Sequence, residues 1–340
     1  MTTEFEFITK LKNKASKFSQ SSIRVGIGDD CAVLAKDSKT DLVITTDLLV
    51  EDIDFRLDWT TPEFLGHKAL AVSLSDVAAM GAKPVWSMLS IGVPEKIWKT
   101  DFIEKFYEGW FALAKKFDVA LVGGDVSRTP GKIVVDSIAA GEARKGKAVL
   151  RSTAKVGDLI FVTGKLGAAA AGLELLEEGE RLEKGSKNSV QTLLLRQLKP
   201  NPQVETGRVL GKKNLATAMI DLSDGISSDL AHLCRESKVG AKIFAEKIPI
   251  YEEVFPQKRK DAKIEDTKKQ ISEELNFALN GGEDFELLFT VNPKKKIQVE
   301  KELQNFPFSH IGEITANLEI IELTIGSEGV ILKPKGFRHF

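Results

Sequence analysis

Short apolar runs in this chain repeatedly end on acidic residues. Leu42-Val43-Ile44 leads through Thr45-Thr46 into Asp47, and Val119-Ala120-Leu121-Val122 leads through Gly123-Gly124 into Asp125. Ala218-Met219-Ile220 runs directly into Asp221, with Ser223 and Asp224 close behind. An apolar, β-branched run of this length predicts a buried strand, so each carboxylate is expected where a strand leaves the core. Carboxylates gathered at one edge repel unless a cation stands between them. Mg²⁺ meets that need, because it takes oxygen ligands and is commonly shared between carboxylates and substrate phosphates. The pattern predicts a site for metal ions and a polyphosphate.

At 340 residues the chain is long for one domain, and two are expected. Residues 4–18 alternate apolar and charged positions as an amphipathic helix does, and strands are predicted over 31–35 and 42–46. Thr61-Pro62-Glu63 then opens a helix running to Met80: threonine caps, proline suits the first turn, and glutamate favours the positive helix end. Strands follow at 84–93, 119–122 and 132–140, with a helix over 101–117. The glycine-bearing, charged stretch 141–147 predicts the boundary, giving domains 1–145 and 146–340. Beyond it, strands are predicted at 159–163, 216–220, 241–245 and 285–291. Helices are predicted at 167–176, 189–198, 203–212 and 226–237, and 251–274 is a charged, solvated helix or loop. Strands and helices mix without strict alternation in both halves, which predicts an α+β fold.

Charge and composition exclude several function classes. A net charge of −1, from 48 basic and 49 acidic residues, offers nothing to nucleic acid or an anionic membrane. Cys31 and Cys234 are too few for a disulfide framework or a cysteine metal site. The charged stretch 1–14 lacks the apolar core of a signal peptide, and no apolar run approaches the ~20 residues that span a bilayer. A cytoplasmic protein with no nucleic-acid or membrane partner is expected.

Several motifs resemble known sites and fail on inspection. Gly26-Ile27-Gly28-Asp29-Asp30 begins like a dinucleotide fingerprint, but Cys31 stands where the third glycine belongs. A tight turn presenting Asp30 to a cation fits better. Gly141 to Lys147 has phosphate-loop spacing, yet Ala148 replaces the magnesium-binding hydroxyl and no apolar helix follows. Asp221-Leu222-Ser223-Asp224-Gly225 opens like a calcium loop with its glycine one residue early, and Ser223 or Asp224 as a helix cap is the plainer alternative. Asp76 lies inside an apolar helix, where a buried carboxylate needs a partner. The four histidines show no metal spacing. Asn280-Gly281-Gly282-Glu283-Asp284 reads alone as the start of a hairpin.

Together, the segments 26–31, 45–50, 74–82, 121–125, 150–158, 219–230, 281–287 and 336–340 resemble the thiamine-monophosphate kinases, in family order along nearly the whole chain. This family shares a superfamily with aminoimidazole ribonucleotide synthetase, selenophosphate synthetase and a hydrogenase-maturation enzyme. The resemblance implies a two-domain α+β fold whose N-terminal domains pair into a homodimer through a shared β-barrel. It implies ATP as co-substrate, several Mg²⁺ ions, and transfer to thiamine monophosphate. By motif, Asp30, Thr45, Thr46, Asp47, Asp76, Asp125, Asp221 and Asp224 would bind metal. Tyr107, Gly124, Asp125, Arg151 and Ser223 would contact ATP, and Asp54, Glu283 and Phe337 would face the substrate.

One departure from the family stands in the segment Val50-Glu51-Asp52-Ile53-Asp54-Phe55, where Asp54 replaces a substrate-holding histidine. Beside a phosphate an aspartate repels unless it is bound to a cation or turned away, and Asp54→His is expected to tighten substrate binding. Ser73, where asparagine is usual, is a smaller deviation. No cysteine precedes Cys31 and the sequence ends on His339-Phe340, so the reactive cysteines of the selenophosphate and hydrogenase-maturation relatives are missing. A non-catalytic nucleotide- or metal-binding regulator is the alternative from another class.

Overall fold

A computed structural model describes residues 4–18, 20–183, 185–254 and 272–336. In chain order, the first half comprises α1 (Glu4–Ala15), β1 (Ile23–Val25), β2 (Ala32–Ala35), β3 (Thr40–Val50), α2 (Pro62–Ala79), β4 (Lys83–Pro94), α3 (Glu95–Trp98), α4 (Phe102–Phe117), β5 (Ala120–Thr129) and β6 (Val134–Arg144). These strands form one open six-stranded sheet in the order β1-β2-β3-β6-β4-β5. All its pairings are antiparallel except the parallel β4–β5 edge. Among the described residues, no barrel closes within the single chain.

Helix α2 is the centre of the molecule. Thr61 caps it by accepting from the Phe64 amide at 3.3 Å, with Pro62 in the first turn, as its opening tripeptide predicts. Fourteen of its residues are buried, because it packs on β3 and β6, against α4 and the later helix Val204–Lys212, and on the strand Ala218–Asp221 of the second half. Such a helix has apolar residues all round, the pattern expected of one with partners on every side. Phe106, Trp110, Leu65 and Leu70 fill the space between α2 and α4 and continue into Phe161, Met219 and Phe289 of the second sheet. One core therefore joins the two halves.

The second half comprises β7 (Leu159–Thr163), α5 (Ala168–Glu177), α6 (Ser189–Leu198), α7 (Val204–Lys212), β8 (Ala218–Asp221), α8 (Ile226–Ser237), β9 (Gly240–Phe244), α9 (Glu273–Asn280), β10 (Leu287–Val291), α10 (Lys296–Glu302), β11 (Phe308–Thr315), β12 (Ile321–Ile325) and β13 (Glu328–Ile331). Its seven strands run β13-β12-β9-β11-β7-β10-β8, antiparallel except for β12 on β9. Mixed sheets with helices grouped around them confirm the α+β expectation. No described helix is long and apolar enough to cross a membrane.

The main disagreement with the expected elements concerns strand length. β3 continues past Thr46 to Val50, and β5 continues past Val122 to Thr129. Asp47 and Asp125 therefore stand in mid-strand instead of where a strand ends; only Asp221 closes its strand. Polar residues stay in these strands because β3 buries mainly alternate positions, while β5, an edge strand, is exposed along most of its length. Residues 141–144 likewise continue β6, in register with β3 from Thr40 to Val43. Ser223 and Asp224 do not cap α8. Gly225 does, at φ +99, where a side chain would be strained and its Cβ would fall 2.7 Å from the Gly281 carbonyl oxygen. The 280–284 segment links α9 to β10 and is not part of a hairpin. Most of the charged 251–274 stretch lies outside the described residues.

Candidate active site

Ser73-Leu74-Ser75-Asp76 on α2 organises the acidic residues of both halves. The Ser73 hydroxyl donates to Asp47 on β3 at 2.7 Å and to the Ser137 carbonyl at 3.1 Å. Ser75 donates to Asp221, at the end of β8, at 2.6 Å. Thr45, two residues before Asp47 on the same face of β3, donates to Asp76. Asp30 reaches the group from the turn after Gly28. Oxygens of Asp30, Asp76 and Asp221 all lie within 4.8 Å of one another. Segments nearly two hundred residues apart thus meet at one point.

The electrostatics of this cluster are unfavourable in isolation. Burial, then the charges of Asp47 and Asp221, hold the Asp76 carboxyl well above its ordinary range. Burial and Asp30 push Asp221 up to about 8, and burial pushes Asp47 up to about 6. Asp29 rises to about 7, through burial and the adjacent Asp30. Arg151 supplies positive charge: its Nε meets Asp30 at 2.9 Å while its backbone amide bonds Asp29 at 3.1 Å. One guanidinium cannot balance five carboxylates. The donors are all oxygens, converge from different elements and are short of positive charge, which fits hard divalent cations.

Other expected ligands fall elsewhere. Thr46 points to the opposite face of β3 and bonds Asp136 at 2.6 Å. Asp125 is exposed on the edge strand β5, in register with Ser90, which is itself opposite Asp136. Sheet geometry places Thr46, Asp136, Ser90 and Asp125 in one region of the outer face. Gly124 precedes them at φ +155, where a Cβ would fall 1.9 Å from the Leu89 carbonyl oxygen, so only glycine lets β5 lie this close to β4. Tyr107 on α4 packs edge-on against Phe106, with ring centroids 5.5 Å apart, and no described hydrogen bond joins it to the acids.

A cavity of about 470 Å³ opens beside the cluster, between the two halves. Asp47, Asp54, Trp59, Ser223, Asp224 and Glu283 are among its lining residues. The Asp224 amide bonds Asp229 at 3.1 Å, so a carboxylate in the first turn of α8 organises the turn that Ser223 and Asp224 occupy. Asp54 lines the cavity, but its carboxylate accepts from the Val50 amide at 2.7 Å and so closes its own turn. Glu283 accepts from Lys68 on α2 at 2.7 Å and also from Gln197. Phe337 lies outside the described residues. Sequence reasoning missed Lys68, Gln197 and the hydroxyl donors Ser73 and Ser75. A Ser-x-Ser-Asp string in an apolar helix and a lysine one turn earlier were the available signals.

Comparison with known proteins gives the family. Residues 28–143 match the family model of the AIR synthase related protein N-terminal domain, and 155–322 that of its C-terminal domain. The thiamine-monophosphate kinase of Buchnera aphidicola subsp. Acyrthosiphon pisum is 40% identical over 99% of both chains, and that of Bacillus subtilis (strain 168) 36% identical over 99% of both. Among solved structures, AaThiL complexed with AMPPCP and TMP aligns with a TM-score of 0.80 at 30% identity, covering 99% of this chain and 97% of that one. Thiamine-monophosphate kinase from Stenotrophomonas maltophilia K279a aligns with a TM-score of 0.73 at 34% identity, covering 96% and 98%. By full-length identity, domain content and fold, the chain belongs to the thiamine-monophosphate kinase family.

Proposed function

We propose that the protein transfers the γ-phosphoryl group of ATP to thiamine monophosphate, giving thiamine diphosphate and ADP by direct in-line displacement. The observation that carries this reading is the convergence of Asp30, Asp76 and Asp221 beside a cavity large enough for a phosphorylated small molecule. Family membership supports the choice of substrates. Asp30, Asp47, Asp76 and Asp221 would hold several Mg²⁺ ions, with Thr45, Thr46, Asp125 and Asp224 as further candidates. Bound there, the ions supply neutralisation of phosphate charge and a template for the two substrates.

The chain's own groups do the remaining work. Ser73 and Ser75 fix the orientation of Asp47 and Asp221, so the oxygen set is arranged before substrates arrive. Arg151 sits at the edge of the cluster, where its guanidinium can exchange Asp30 for a nucleotide phosphate. Ser223 and Gly124 contribute to the nucleotide side, with Tyr107 more remote. Glu283 faces the acceptor in the cavity between the halves, and Asp54 lines that cavity with its carboxylate turned back onto the Val50 amide. The acceptor is a phosphate oxygen, already nucleophilic at neutral pH, so no separate general base is required; phosphoryl transfer depends chiefly on positioning and charge stabilisation.

The same reading assigns domains 1–145 and 146–340, a cytoplasmic setting, and a homodimer formed through the first sheet. Val122 and Val126 on edge strand β5 are 52% and 51% exposed, and an uncovered apolar edge of this kind calls for a partner. Phosphorus NMR of the protein with Mg-ATP and thiamine monophosphate tests the reaction. A diphosphate ester appearing in step with ADP supports it. ATP bound without turnover, or ADP formed with inorganic phosphate alone, would refute it.

A further inference from the structure

Lys68 is almost fully buried, at 3% exposure, in the middle of α2. A buried ammonium is costly unless paired and hydrogen-bonded. Its partners come from two separate walls of the cavity. It meets both Glu283 carboxylate oxygens, at 2.7 and 2.9 Å, and the Asp54 backbone carbonyl at 3.3 Å. Glu283 belongs to the glycine-rich loop between α9 and β10; Asp54 belongs to the turn after β3. Lys68 therefore ties a loop of the second half to a turn of the first, through a helix that contacts both.

Glu283 needs such restraint. Its backbone lies at φ +65, a left-handed conformation that a non-glycine residue keeps only when its surroundings hold it. Its amide donates to the Ser223 carbonyl at 2.8 Å, and Gln197 on α6, itself 5% exposed, donates to the carboxylate from the other side. The carboxylate is thus clamped between Lys68 and Gln197, yet its side chain is still 28% exposed and lines the cavity. This leaves Glu283 as an oriented acceptor available to the substrate's donor groups.

We propose that Lys68 is a positioning residue for the acceptor subsite: together with Gln197 it sets the direction of the Glu283 carboxylate, and through Asp54 it sets the width of the cavity at that point. The proposal rests on the reading that Glu283 contacts thiamine monophosphate. The described contacts of Lys68 run to Glu283 and the Asp54 carbonyl and not to the acidic cluster, so its effect should be confined to one substrate.

Steady-state kinetics on Lys68→Met, Lys68→Arg, Gln197→Leu and Glu283→Gln separates the possibilities. Lys68→Met is expected to raise KM for thiamine monophosphate roughly tenfold or more, the scale of one charge-assisted contact, and to change KM for ATP less than twofold or so. Lys68→Arg should recover part of the loss, and Gln197→Leu should move the same constant in the same direction. Glu283→Gln tests the underlying reading: an unchanged acceptor KM there refutes the Glu283 contact, and the positioning role with it. An acceptor KM that rises in Glu283→Gln and stays at the wild-type value in both Lys68→Met and Gln197→Leu overturns the positioning role alone. Equal rises in both KM values together with a lowered melting temperature would make Lys68 merely structural and also overturn it. Should Lys68→Met fail to fold, Gln197→Leu and Lys68→Arg carry the same test.

Discussion

Replacing Asp221 by asparagine should make the metal-free protein more stable while destroying its activity. Oxygens of Asp221, Asp76 and Asp30 lie within 4.8 Å of one another in a site largely closed to water. Two unit charges at that distance repel by ~3 kcal/mol at an effective dielectric constant of about 20. Asparagine removes the charge and keeps an oxygen that can accept the Ser75 hydroxyl, so little is lost in exchange. Protons already shared among the acids, and the attraction of Arg151, reduce the gain to about 1–3 kcal/mol. At ~2–4 °C per kcal/mol for domains of this size, the melting temperature in chelator should rise by roughly 2–12 °C. In magnesium the order reverses. The wild type gains stability from an ion that binds only the folded state, whereas the variant gains little, and turnover falls about a hundredfold or more. Thermal denaturation with and without magnesium measures both effects. An Asp221→Asn protein that melts no higher than wild type in chelator, and gains as much from magnesium, would refute the account of the cluster.

Asp47→Asn should keep the fold and the Ser73 hydrogen bond but lose about a hundredfold or more in turnover, measured by ADP release at saturating magnesium. Glu286 is pushed up to about 7, chiefly by burial, against an ordinary 4.5. Its folded form thus retains a proton that the unfolded chain releases, so the stability it contributes is full below pH 4.5 and is lost as pH rises through about 7, by up to ~1.4 kcal/mol per unit crossed. Urea titrations of Glu286→Gln should therefore show a flatter stability profile than wild type across that window. Val126→Lys places a charge on the exposed edge strand and should convert a dimer to monomer in light scattering, while circular dichroism stays unchanged.

Much of this protein was legible without coordinates. Thr61-Pro62-Glu63 marks the start of α2 because capping is local chemistry, satisfied within one turn. The motifs around Asp30, Asp47, Asp76 and Asp221 point to one family because each is a short, local string of residue types. What lay beyond the sequence depends on the neighbours that distant segments acquire. Alternation along β3 says that Thr45 and Asp47 share a face and Thr46 the other, but only the packing of α2 decides which face meets the acids. Asp54 looked like a charge facing a phosphate; the fold turns its carboxylate onto the Val50 amide four residues back, the donor nearest to hand. Lys68 carries no motif at all. Its importance comes from a loop 215 residues away arriving within hydrogen-bond reach, and the cost of burying an ammonium then makes that contact specific. Side-chain chemistry is written locally, whereas electrostatic partnership in a buried site belongs to the whole fold.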